Sequence, residues 1–254
     1  MESTKTATLK VPGATLYYEV RGAGPVLLMI CGGIYDAAAL AGLTQRLADR
    51  YTVVTYDRRG NSRSPLDEPP GPQRVETHAD DAHRLLTAVA GDAPAGVFGN
   101  SSCGQIGLEL VARHPEQVRV LVAHEPPIFE LLPDRTRWRT LLETVGNTYQ
   151  AEGVGPAMDR FATAMGMNGG EPGAEEQAEA EPQQAPPPEV VEMLARLEKN
   201  TAFFLAYEVP PFSRHTPDLA AVRAATSTRV VLAAGEESAG EPPHRAAFAV
   251  AALL

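Results

Sequence analysis

Gly99-Asn100-Ser101-Ser102-Cys103-Gly104 is the stretch that decides the fold, because a short apolar strand precedes it and a helix follows it. The preceding Ala-Gly-Val-Phe (95–98) reads as a buried strand, and Ile106, Leu110 and Val111 recur at helical spacing after the turn. Ser101 therefore falls on the strand-to-helix turn itself, a setting in which a serine becomes a nucleophile. The turn is sharp, so the positions two before and two after the serine must be small; here they are Gly99 and Cys103. A thiol is small enough to stand where glycine is commoner. The other reading of these six residues is a tight turn without chemistry, and the rest of the chain bears on the choice.

Working outward, strands and helices alternate. Residues 6–11 and 16–20, joined by Pro12-Gly13, predict an antiparallel hairpin at one edge of a sheet. Val26-Leu27-Leu28-Met29-Ile30 is continuously apolar, as a strand covered on both faces must be. A helix over 37–47, a strand at 53–56 and a helix over 75–89 follow. The helix after the serine turn must stop before Pro115, and residues 118–123 form a further strand. Strands separated by such helices predict a mostly parallel, doubly wound α/β sheet. The alternation breaks after Pro126-Pro127 and resumes only at Arg229-Val230-Val231-Leu232. The chain is thus expected to divide into a core, residues 1–126 and 226–254, and a helical cap, residues 127–225. Cap helices are expected at 138–150, 157–165, 190–204 and 218–225. Residues 169–189, rich in Gly, Pro, Ala, Glu and Gln, bury too little apolar surface to offset their ordering entropy and predict a mobile acidic loop.

The 254 residues suit one large domain, and 44% hydrophobic residues supply its core. A formal charge of −10 and the lack of a basic face argue against nucleic acid and leave a small-molecule substrate as the expected partner. No apolar run reaches the roughly 20 residues of a membrane span, and no signal-peptide core follows the first residues. The two cysteines, Cys31 and Cys103, fit a reducing compartment, so a cytoplasmic protein free of membrane is expected.

With the serine turn, the glycine-rich Cys31-Gly32-Gly33 after the third strand, Tyr56-Asp57-Arg58-Arg59-Gly60-Asn61-Ser62-Arg63-Ser64 after the fourth, and the opening hairpin, the chain resembles the α/β-hydrolase family, specifically its capped, serine-nucleophile members. The resemblance covers nearly the whole chain. It implies Ser101 as nucleophile and the backbone N–H groups of Gly33 and Ser102 as the oxyanion hole. Cys31 stands where the family usually has histidine; a backbone donor survives that exchange. Asp57-Arg58-Arg59-Gly60 is expected to fix a turn through hydrogen bonds.

A nucleophilic serine needs a base and an acid that orients it. Many family members carry the acid after the seventh strand, three residues past a glycine, where this chain has Ser238. Others carry it at the end of the sixth, where His124-Glu125-Pro126-Pro127 offers Glu125, the preferred acid, with Glu236 and Glu237 as rivals. The family's histidine follows an eighth strand, and this chain ends at Leu254 within the helix after the seventh. Of the six histidines, His78 and His83 are expected on a surface helix, His114 at a helix end, His124 on the face opposite Glu125, and His215 and His244 in loop-like surface positions at the cap exit and the start of the last helix. None has metal-ligand spacing, and no metal or organic cofactor is implied.

Two accounts fit the missing histidine: a shortened form of an active enzyme, or a chain that has lost hydrolysis, since loss of the base costs a serine hydrolase on the order of 10⁶ in turnover. The final strand would be an unpaired edge, with Phe248, Val250, Leu253 and Leu254 exposed, and the chain is expected to self-associate there. The resemblance thus implies a serine hydrolase of ester or related acyl substrates. Ser101 argues against epoxide and haloalkane hydrolysis, whose related enzymes use aspartate there; perhydrolysis would run on the same serine. The alternative is a catalytically impaired or non-catalytic protein that binds a small molecule under the cap.

Overall fold

The apolar runs become the middle of a single sheet. Its strands are β1 (Lys5–Val11), β2 (Ala14–Arg21), β3 (Val26–Ile30), β4 (Thr52–Tyr56), β5 (Ala95–Asn100), β6 (Val118–His124) and β7 (Arg229–Ala233), in the computed structural model, which describes residues 4–167 and 188–254. Their order is β1-β2-β4-β3-β5-β6-β7. β1 pairs antiparallel with β2 through a Pro12-Gly13 turn in which Gly13 takes φ 80°, and β2 pairs antiparallel with β4. The pairs β4-β3, β3-β5, β5-β6 and β6-β7 are all parallel. Chain order reverses at β3, which has β4 on one side and β5 on the other, so the loops leaving β3 and β5 meet at the crevice where α/β sheets bind ligands.

The main core joins the inner strands, including Leu28, Ile30, Val54 and Val97, to α2 (Val75–Ala90) and α3 (Ser102–Arg113). Residues 102–111 of α3 are all buried, so this helix is enclosed all round and holds the end of β5 rigidly. The segment expected as one helix over 37–47 is a 3-10 turn, Ala37–Leu40, running into α1 (Ala41–Leu47); Asp36 caps it by accepting from the Ala38 N–H.

Between β6 and β7 lie α4 (Arg135–Glu152), α5 (Val154–Ala164), α6 (Pro188–Phe203), a single π-helical turn (Phe204–Glu208), α7 (Val209–Phe212) and α8 (Leu219–Ala224). This helical insertion builds a second apolar cluster around Phe129, Trp138, Leu142, Val145 and Phe204. The acidic loop expected at 169–189 lies outside the described residues except for its last two positions, which open α6. Among the described residues no helix is long and apolar enough to cross a membrane.

Two expectations are corrected. His78 is not on a surface: it lies on the inner face of α2 beside Ala79 and Ala82 and is 1% exposed. After β7, α9 (Pro242–Ala251) leaves Phe248 and Leu253 exposed as expected, but Val250 is fully buried and Leu254 packs partly against the core. Helical spacing turns Val250 to the same side as Ala246 and Ala247, and that side faces inward.

Candidate active site

The turn between β5 and α3 is built around Ser101, whose backbone stands at φ 52°, ψ −130°. Such a conformation costs a residue with a Cβ about 1–3 kcal/mol and persists only where its surroundings impose it. Here they do. The Ser101 N–H donates to the His124 carbonyl at 2.8 Å, and the Ser101 carbonyl accepts from the Gly104 N–H at 2.8 Å. Gly99 is required because a Cβ there would lie 2.2 Å from the Cys103 carbonyl oxygen. Cys103 does more than fit: it is fully buried, and its thiol donates to the Cys31 carbonyl at 3.0 Å. Burial pushes the Cys103 thiol up to about 12 and the Cys31 thiol up to about 11, so both stay protonated.

The Cys31-Gly32-Gly33 loop lies against this turn. The Gly32 N–H donates to Asn100 Oδ1 at 3.0 Å, and a Cβ on Gly32 would sit 2.3 Å from the Asn100 carbonyl oxygen. Gly33 adopts φ 61° with open space around its α-carbon, so glycine is needed there for the backbone and not for room. Its N–H donates to Ser102 Oγ at 3.1 Å. Ser102 opens α3, so its own N–H is one of the donors a helix leaves unpaired at its positive end.

Ser101, Ser102 and Glu125 line one cavity of about 590 Å³, walled on its apolar side by Phe129, Leu142, Phe161, Phe204 and Phe212. Gly33 joins the group through Ser102. Glu125 follows β6 at φ 48°, with its N–H donating to the Ala233 carbonyl at 2.9 Å. Its carboxylate Oε1 accepts from the Gly235 N–H at 2.8 Å and from the Ser238 hydroxyl. A carboxylate sent from the end of β6 thereby meets Ser238 on the segment after β7. Of the rivals, Glu237 lines the cavity and Glu236 does not.

Strand alternation predicts opposite faces for His124 and Glu125, yet both line this cavity, because β6 ends at His124 and the left-handed backbone at Glu125 breaks the alternation. Elsewhere, His83 stacks on His114 with ring centroids 3.8 Å apart, and His215 Nε2 lies 3.2 Å from Glu109 Oε2. His78 meets Phe212 edge-on, and burial, reinforced by Arg58 and Arg59, holds its imidazole well below the ordinary histidine range. Among the described residues no histidine side chain is hydrogen-bonded to Ser101 or Glu125. A larger cleft of about 920 Å³ between α4, α5 and the start of α9 contains neither of those two residues, so its size does not make it the candidate site.

The segment after β4 behaves as expected at Asp57, which accepts from the Ala37 N–H at 2.9 Å and the Arg63 N–H at 3.0 Å, and at Arg59, which grips Asp81 with two bonds of 2.6 and 2.7 Å. Arg58 departs from a mere turn role. It is 1% exposed, pairs with the equally buried Glu208 of the π-helical turn, and donates to carbonyls of the Cys31-Gly33 loop. The turn-like composition around Arg58 concealed this contact. For Ser238 a signal existed: a hydroxyl in an acid's usual place asks what carboxylate it serves.

Residues 25–206 match the family model described as alpha/beta hydrolase fold. Over 252 residues, 97% of this chain and 84% of that protein, the chain is 38% identical to an uncharacterized hydrolase, YraK, of Bacillus subtilis. Among solved structures it is similar to a hydrolase from Pseudomonas aeruginosa PA01, with a TM-score of 0.62 at 21% identity over 98% of this chain and 97% of that one. A thermophilic esterase from Thermogutta terrifontis gives a TM-score of 0.61 at 17% identity, covering 99% of this chain and 97% of that one. At these identities the structural likenesses speak for the fold alone.

Proposed function

The chain belongs to the α/β-hydrolase family, and from that membership we propose that it hydrolyses esters or related acyl compounds through an acyl-enzyme on Ser101. The observation that carries this reading is a serine held at φ 52° on the β5–α3 turn, opening into the same cavity as a carboxylate anchored across two strands. In the reaction, Ser101 Oγ bonds to the substrate carbonyl carbon while its proton passes to solvent water, from which the leaving alcohol later recovers one, and the C=O π pair moves onto the carbonyl oxygen to make an oxyanion. The N–H groups of Gly33 and Ser102 receive that charge, and collapse expels the alcohol, which takes up a proton. Water then adds to the acyl carbon, releasing the acid and restoring the hydroxyl. Glu125 is the acid that would orient the base, and its bonds to Gly235 and Ser238 support that assignment. In the ground state the Gly33 N–H rests on Ser102 Oγ, so an oxyanion must displace that contact.

One observation favours a second reading. No histidine side chain among the described residues is hydrogen-bonded to Ser101 or Glu125, although His124 lines the same cavity, as would hold for a protein that binds an acyl compound without turning it over. The two readings part on incubation with p-nitrophenyl acetate followed by intact-mass measurement. Release of nitrophenol with an acetyl group on Ser101, absent from Ser101→Ala, is the expected outcome. Neither adduct nor product would leave the binding reading standing.

A further inference from the structure

We propose that the buried pair Arg58–Glu208 is a positioning device, through which the helical insertion sets the Gly33 N–H for the developing oxyanion; this rests on the serine-hydrolase reading. Arg58 Nε donates to the Cys31 carbonyl at 3.3 Å, and Nη2 donates to the Gly33 carbonyl. The guanidinium therefore fixes the peptide units on either side of the one that carries the Gly33 N–H. The remaining arm, Nη1, goes to Glu208 Oε1, which also accepts from Asn61 Nδ2 at 3.0 Å.

Neither member of the pair is on the loop. Glu208 belongs to the single π-helical turn that follows α6, and such turns recur where a helix must aim a particular side chain. The same helical stretch grips the loop twice more: Asn200 Nδ2 donates to the Ile34 carbonyl at 2.9 Å, and Arg196 Nε to Asp36 Oδ2 at 2.9 Å. Stability does not explain the arrangement. Both side chains of the pair are 1% exposed, and a buried ion pair is commonly no better than two well-packed apolar groups once its desolvation is counted. What apolar groups lack is a rigid fork of donors able to span a carboxylate and two carbonyls at once. Burial works against the charge on Arg58, and Glu208 more than offsets it, so the fork stays fully protonated.

Arg58 and Glu208 touch no substrate and would act only through Gly33. The double variant Arg58→Met/Glu208→Leu removes the donors without orphaning a buried charge, and Glu208→Gln is the milder companion should the double variant fail to fold. Two quantities are compared with wild type: the rate of Ser101 acetylation by p-nitrophenyl acetate against its half-saturating concentration, and hydrogen–deuterium exchange of the peptide spanning residues 31–36. Loss of one oxyanion donor costs 10²–10³ in rate. The double variant is expected to lose at least tenfold in maximal rate, with half-saturation within twofold and exchange at 31–36 clearly faster. A folded variant with wild-type exchange overturns the proposal whether or not wild type is acetylated, and so does faster exchange with an undiminished rate. A wild type that takes no acetyl group overturns the serine reading, and the catalytic role of the pair with it.

Discussion

Ser62, Ser101 and Glu125 hold backbone conformations that favour glycine, at φ 46°, 52° and 48°. Ser101 and Glu125 line the candidate site, where strain that a fold would otherwise discard is kept for the direction it gives a side chain. Ser101→Gly and Ser101→Ala both remove the hydroxyl, but only glycine relieves the strain. The glycine variant should therefore be more stable than the alanine variant by about 1 kcal/mol, after the greater entropy glycine adds to the unfolded chain. Urea denaturation of the two proteins side by side checks this, and an equal or higher midpoint for alanine would contradict it. At Glu125 the expected effect is chemical. Glu125→Gln keeps the shape and loses the charge, so under the proposed mechanism acetylation of Ser101 by p-nitrophenyl acetate should slow with folding unchanged by circular dichroism, and an unchanged rate would remove Glu125 from the machinery.

Among the elements, the β5–α3 turn is the most constrained. A methyl group on Gly99 would meet a backbone oxygen at 2.2 Å, and backbone yields far less than the end of a flexible side chain. Gly99→Ala should cost roughly 3 kcal/mol or more, a loss of the size that strain at a special backbone position produces, and abolish acetylation of Ser101. Unfolding and mass measurements on one preparation test both effects. On α2, His78 carries a pH dependence. Its imidazole is kept neutral in the fold while the unfolded chain protonates it near ~6.5, so below that pH the unfolded state binds more protons and stability falls as pH falls. The slope is about 1.4 kcal/mol per pH unit, with nothing lost above pH ~7. Denaturation at pH 7.5 and 5.5 should show this difference in wild type, and a smaller one in His78→Leu; equal slopes would remove His78 as the cause.

At the scale of the whole molecule, β7 pairs among the described residues with β6 alone, and Phe248 on the following helix is 63% exposed. An unpaired strand edge beside exposed apolar groups favours pairing with another chain, so this 254-residue protein is expected to elute as a self-associated species in size exclusion with light scattering. A monodisperse monomer would count against that. The sequence by itself determined the strands, the hairpin, the helical insertion and the serine turn, because periodicity, turn residues and the small Gly99 are local requirements that local residues must meet. It also offered Glu125 as the acid, with Glu236 and Glu237 as rivals, and Ser238 at the position where an acid is commoner. Only the tertiary structure decided that Glu125 and Ser238 meet in one hydrogen bond, that His78 faces inward, and that Arg58 reaches the loop of Gly33 while gripping Glu208, 150 residues away. The physical reason is the same in each case. A hydrogen bond or ion pair between distant segments forms when packing brings them together, and it leaves no period or spacing in either segment by which a sequence could announce it.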